Sequence, residues 1–99
     1  MLHTINKSPF DNKILETCLR FARPGSAVLL IEDGVYAAAK GTAASRQVQE
    51  ALKSVSIYAL KADLEARGMQ QRVMDGVRLV DYGGFVDLVA EHSAVQAWL

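Results

Sequence analysis

The run AVLLI, residues 27–31, constrains the fold of this chain more than any other stretch. It is apolar at every position, so neither face of a strand built from it can lie in water. RPGS precedes it and EDG follows, which leaves too few residues for a helix. A strand of this kind belongs in the middle of a parallel sheet, with helices covering both sides.

The remaining segments supply such a sheet and such helices. LHTI, residues 2–5, predicts a short first strand, with His3 at the sheet edge. Ser8 is the predicted cap of the first helix, with Pro9 at its first position and Asp11 as the rival cap. That helix is expected to reach Ala22, because Ile14, Leu15, Cys18, Leu19, Phe21 and Ala22 recur at helical spacing. RPG then stops it. DGVYAAAKG predicts a short helical turn ending at Gly41. TAASRQVQEALKS predicts a helix that packs through Ala44, Val48, Ala51 and Leu52. VSIYAL, residues 55–60, reads as a third strand, and Ala62–Arg67 as a short helix closed by Gly68. GVRLVD gives a last strand near 77–80, and YGGFVDLVAEHSAVQAWL gives the final helix. Strands alternating with helices predict an α/β layer architecture, a mostly parallel sheet flanked by helices on both faces. With 99 residues, the chain forms one domain, 1–99.

Composition excludes some partners. Eleven basic and eleven acidic residues leave no net charge to draw in nucleic acid or an anionic membrane. No run approaches the roughly 18 apolar residues of a spanning helix. MLHTINKSPF lacks a basic start and an apolar core, so no secretory signal is expected. One cysteine cannot form an internal disulfide, which fits a reducing compartment.

The lone Cys18 is the first candidate for chemistry. It lies well inside its helix, where the backbone dipole does little to favour a thiolate. Its helical neighbours Ile14, Leu15 and Ala22 are apolar, which predicts a buried, inert thiol. The alternative is a nucleophile or persulfide carrier, which needs a solvent path and a nearby base. The second candidate is the carboxyl end of the central strand, where Glu32, Asp33 and Tyr36 follow one another. Ligands gather at that edge of open α/β sheets. The two carboxylates offer metal or acid–base chemistry, turn capping, or a polar contact with another subunit. No glycine pattern matches a nucleotide loop. His3 and His92 are too few for a zinc site, and no cofactor is expected. At the tail, Trp98 and Leu99 are apolar and predict docking against the core or a neighbouring subunit.

Taken together, MLHTINKSPF, LETCLRFA, LLIEDGVYAA, YALKADLEARG and VDYGGFVDLVAEHSAVQAW resemble the DsrH/TusB family over nearly the full chain. The resemblance implies a small DsrE-like α/β domain. It also implies a cytoplasmic subunit of a heterohexameric sulfur relay, with DsrE/TusD-like and DsrF/TusC-like partners and a DsrC/TusE-like acceptor beyond them. Sulfur then passes towards wobble-uridine 2-thiolation of tRNA, or towards dissimilatory sulfur oxidation. NKSPF and the cysteine in LETCLRFA look more DsrH-like. The principal sulfur-carrying cysteine of such complexes sits on the DsrE/TusD-type subunit, and this chain has no second cysteine to match it. The implied role is therefore accessory and non-catalytic, without membrane or direct nucleic-acid binding. Two rivals stand beside it: a sulfur carrier that uses Cys18, and a small homo-oligomeric ligand-binding module.

Overall fold

The computed structural model describes residues 1–99. Five parallel strands form one sheet: β1 (Leu2–Ile5), β2 (Ala27–Leu30), β3 (Ser56–Leu60), β4 (Arg78–Val80) and β5 (Val95–Trp98), in the spatial order β4-β3-β2-β1-β5. The helices are α1 (Ile14–Phe21), α2 (Ser45–Ala51), α3 (Lys61–Ala66) and α4 (Tyr82–Glu91), and a 3₁₀ helix spans Glu32–Ala38. As its apolar run requires, β2 is central and every residue in it is buried. Val28, Leu29 and Leu30 are each fully enclosed. Enclosing a side chain of that size contributes about 1.5–3 kcal/mol.

The strand order decides how the helices are shared between the faces. Three successive connections, β1 to β2, β2 to β3 and β3 to β4, step in one direction across the sheet. Right-handed crossovers put all their helices on the same side. The fourth connection carries the chain from β4 back across the sheet to β5, so α4 lands on the other side. The two cores follow this division. An 18-residue cluster on the first side includes Ile5, Leu15, Cys18, Val48 and Leu64. Only Leu2, Ala27, Leu29 and Leu88 form the buried cluster on the second, with Phe85, Tyr58 and Val80 against it.

Three expectations are corrected. The final helix does not reach residue 99: it stops at Glu91, and Val95–Trp98 is a strand paired in parallel with β1, Leu2 opposite Val95 and Ile5 opposite Trp98. The free edge of β1 supplies backbone partners for this segment, which outweighs the helical spacing that runs on to His92. His3 consequently lies in an interior strand, between β2 and β5, and not at the sheet edge. The first helix begins at Ile14, about a turn and a half after the Ser8–Pro9 start. Ser8 is not its cap, because the Ser8 hydroxyl accepts from the Phe10 N–H at 3.2 Å in a preceding turn. Asp11 is not the cap either. Asn12 Oδ1 accepts from the Ile14 N–H at 3.0 Å.

Gly34 fixes the approach of the 3₁₀ helix to the sheet. A Cβ at that position would collide with the backbone carbonyl of Ile5, so only glycine lets the segment lie across the end of β1.

Candidate functional site

Cys18 lies on the buried stripe of α1, with no exposed surface, inside the larger core. The surrounding apolar packing penalises a negative charge and pushes the thiol up from 9.0 to about 12. The one nearby guanidinium on this helix, Arg20, turns outward to an exposed ion pair with Glu16 at 3.2 Å. At neutral pH the sulfur is therefore a protonated, enclosed thiol, and thiolate chemistry does not start from it.

At the carboxyl end of β2, Asp33 and Tyr36 are brought together by a residue that the sequence did not single out. Arg67, just past α3, donates from Nε and Nη2 to Asp33 Oδ1 at 3.0 and 2.8 Å. Its Nη1 donates to the Asp63 carbonyl at 3.1 Å. The guanidinium also stands over the Tyr36 ring, 6.0 Å from its centre, a cation–π distance. The hydrogen bond that it donates to Asp33 is the main reason that the Arg67 pKa is raised. Glu32 adopts a left-handed backbone, φ 51°. Its N–H donates to Asp63 Oδ2 at 2.6 Å, which holds that turn in place. Asp33 is thus committed to a cation within the chain, and the Asp63 carboxylate to the turn. Asp33 and Arg67 lie 34 positions apart, and only the fold shows the pair.

The predicted tail residues separate. Trp98 is half-buried, and its indole N–H donates to His3 Nδ1 at 3.1 Å. Its ring lies 6.4 Å from that of Phe21, centre to centre, with the planes 30° apart. Leu99 is 81 % exposed. His92 closes α4, with Nδ1 2.7 Å from the Leu88 carbonyl. Cys18, the Asp33–Arg67 cluster and Trp98 do not form a single constellation. No three His, Cys, Asp or Glu side chains are placed to hold a metal ion, and no helix is long and apolar enough to cross a membrane.

One surface feature was not anticipated. Tyr82, Val86 and Val89 follow one another at four- and three-residue spacing on α4, and they are 61 %, 66 % and 40 % exposed. Helical geometry places them on one stripe, beside the face that buries Leu88. Their apolar character was visible in sequence; their exposure depends on α4 being alone on its side of the sheet.

A five-stranded parallel sheet with three helical connections on one face and one on the other is the DsrE-like arrangement. Solved structures share it: the ychN protein from E. coli superposes with a TM-score of 0.81 over 97 % of both chains at 18 % identity. A Methanobacterium thermoautotrophicum protein of unknown function superposes with a TM-score of 0.75 over 97 % of this chain and 96 % of its own, at 20 % identity. These likenesses establish the fold. Sequence takes the assignment further, because residues 7–95 match the family described as DsrH like protein. The chain belongs to the DsrH family. It is 42 % identical to Protein TusB of Pectobacterium parmentieri, over 99 % of this chain and all of the relative. Protein TusB of Escherichia coli O81 (strain ED1a) is 37 % identical over the same shares.

Proposed function

We propose that this chain is the accessory, non-catalytic subunit of a sulfur-relay complex that serves wobble-uridine 2-thiolation of tRNA. The enclosure of Cys18 carries this reading. Sulfur transfer between thiols needs a thiolate that attacks a persulfide sulfur, and the only thiol of this chain is protonated and sealed in a core. The mobile sulfur then rides on a DsrE/TusD-like sister subunit, with a DsrF/TusC-like subunit completing the assembly and a DsrC/TusE-like acceptor receiving the sulfur. Full-length identity to TusB proteins supports the tRNA branch over sulfur oxidation. The assembly works in the cytoplasm, where a lone free cysteine stays reduced.

The contact with a sister subunit is assigned to the α4 stripe of Tyr82, Val86 and Val89. A partner that covers these side chains removes apolar surface from water, which is the main drive for a lasting interface. Of the five residues first considered for the interface, Tyr36 and Leu99 remain as outlying contacts. The Glu32 side chain stays available to the same contact, while Asp33 and the Trp98 indole also hold bonds within the chain.

Reconstitution tests the proposal. The chain is mixed with DsrE/TusD-like and DsrF/TusC-like subunits, the complex mass is measured, and persulfide transfer to the acceptor is followed. Cys18→Ser should preserve both assembly and transfer. Val86→Glu should block assembly while the free chain keeps its fold. Loss of transfer in a fully assembled Cys18→Ser complex refutes the accessory role and makes Cys18 a carrier.

A further inference from the structure

We propose that the cleft between the end of α1 and the flank of β5 binds a small planar anion: an aromatic ring carrying one carboxylate or similar oxyanion group. The cleft holds about 630 Å³ and is lined by His3, Phe21, Arg23, Ser26, Gln96 and Trp98, among others. That volume lies within the range of small-molecule sites. It opens beside the amino ends of β1 and β2, away from the Asp33–Arg67 cluster at the carboxyl end.

Two largely buried side chains in its wall each keep one polar atom without a protein partner. His3 and Ser26 are 5 % and 6 % exposed. Tryptophan Nε1 can only donate, so the bond from Trp98 makes His3 Nδ1 an acceptor. Neutral His3 must then carry its proton on Nε2. This Nε2–H has no partner in the protein, yet it is not sealed off. Ser26 uses both of its backbone groups, its N–H donating to the Arg23 carbonyl and its carbonyl accepting from Ser56. Its hydroxyl, also not sealed off, bonds to nothing. Both donors open onto the cleft, and two uncommitted donors on one wall suit an acceptor-rich ligand.

Charge and shape narrow the class. No carboxylate lines the cleft, and Arg23 forms no ion pair. The carboxyl end of α1 nearby disfavours an anion, so the attraction must come from Arg23 together with the positive amino terminus of Met1, which also lines the cleft. Phe21 is 67 % exposed at the rim, and with Trp98 it offers aromatic faces to a flat ring.

Trp98 is the only tryptophan, so its indole N–H gives a single, assigned NMR signal inside the cleft. The probe is 2-naphthoate, with neutral 2-naphthamide as its uncharged counterpart, titrated into the ¹⁵N-labelled full chain. Naphthoate should move the Trp98 indole signal in a saturable way, with the amide binding about tenfold or more weakly. Arg23→Gln should reduce that preference severalfold, the amino terminus keeping the remainder, and Ser26→Ala should weaken naphthoate about fivefold. Equal affinity for acid and amide, unchanged binding in Arg23→Gln, or shifts confined to Tyr82 and Val86 on α4 would overturn the proposal. The same titration is run on the reconstituted complex, where a response lost on assembly would assign the cleft to a subunit contact and overturn it too. None of these readouts depends on sulfur transfer, so the two proposals fail separately.

Discussion

Cys18 should be about a thousandfold less reactive in the folded chain than in the unfolded one. The reasoning starts from the displaced pKa, 9.0 to about 12 on burial. At pH 8, a thiol that titrates at 9.0 is about one-tenth thiolate, and one that titrates near 12 is about one ten-thousandth. Three units make the factor of about 10³ before access is considered. Because the side chain has no exposed surface, an alkylating reagent must also await a local opening, which adds to the factor. The assay is iodoacetamide labelling at pH 8, followed by intact mass, for native chain and for chain unfolded in urea. Native labelling within about tenfold of the unfolded rate would refute both the buried-thiol reasoning and the accessory role built on it. The same shift has a thermodynamic counterpart. Between pH 9 and 12 the unfolded chain has released the thiol proton while the native chain keeps it, so stability falls as pH rises. The slope approaches about 1.4 kcal/mol per pH unit. Cys18→Ala removes that slope, and the difference between the two alkaline curves isolates it from lysine and tyrosine titration.

Three other outcomes follow from the structure. Gly34→Ala should cost about 3 kcal/mol in urea denaturation, because its Cβ meets a backbone carbonyl that cannot move aside without disturbing β1; a loss under about 1 kcal/mol would show that the close approach is not required. Deleting residues 95–99 removes β5 and Trp98 and should lower stability by about 3–5 kcal/mol or abolish cooperative unfolding, whereas an unchanged midpoint would mean that β5 is dispensable. His3 is held below its usual range, first by burial and then by the positive chain terminus. Protons therefore bind the unfolded chain first: the stability that neutral His3 contributes is complete above about pH 6.5 and is lost as pH falls towards the depressed native value. His3→Gln should flatten that part of the acid limb, and an identical pH profile in the variant would contradict the assignment.

What could be read from the sequence was whatever local pattern decides. AVLLI has one physical solution, a central strand, and it takes that place. The apolar neighbours of Cys18 at helical spacing already predicted an enclosed thiol, because the stripe of α1 that carries Leu15 also carries the sulfur. The tail shows the limit. Phe85, Leu88, Val89 and His92 keep a helical period, and no local signal outranks it. The segment becomes a strand because β1, about ninety residues earlier, presents an open edge. Ser8 misled for a related reason: its hydroxyl suits a cap, but it also suits the turn that it closes on Phe10. Arg67 was invisible as a hub, since its partners Asp33 and Tyr36 lie on another element and only the packing of α3 against the 3₁₀ helix joins them.

The connection from β4 to β5 links this topology to the proposed role. By crossing the whole sheet it leaves one helix, α4, to cover a face that the other connections do not reach. A single helix cannot bury apolar side chains on its inner surface and on its flank at once, so Leu88 is enclosed while Val86 stays in water. On the opposite face three connections close over Cys18 and leave no path to it. The same chirality that seals the thiol therefore leaves an apolar flank on the far side of the sheet. A chain built this way has its exposed apolar flank and its sulfur on opposite sides of one sheet, which suits the proposed accessory role and not that of a subunit that carries the cargo.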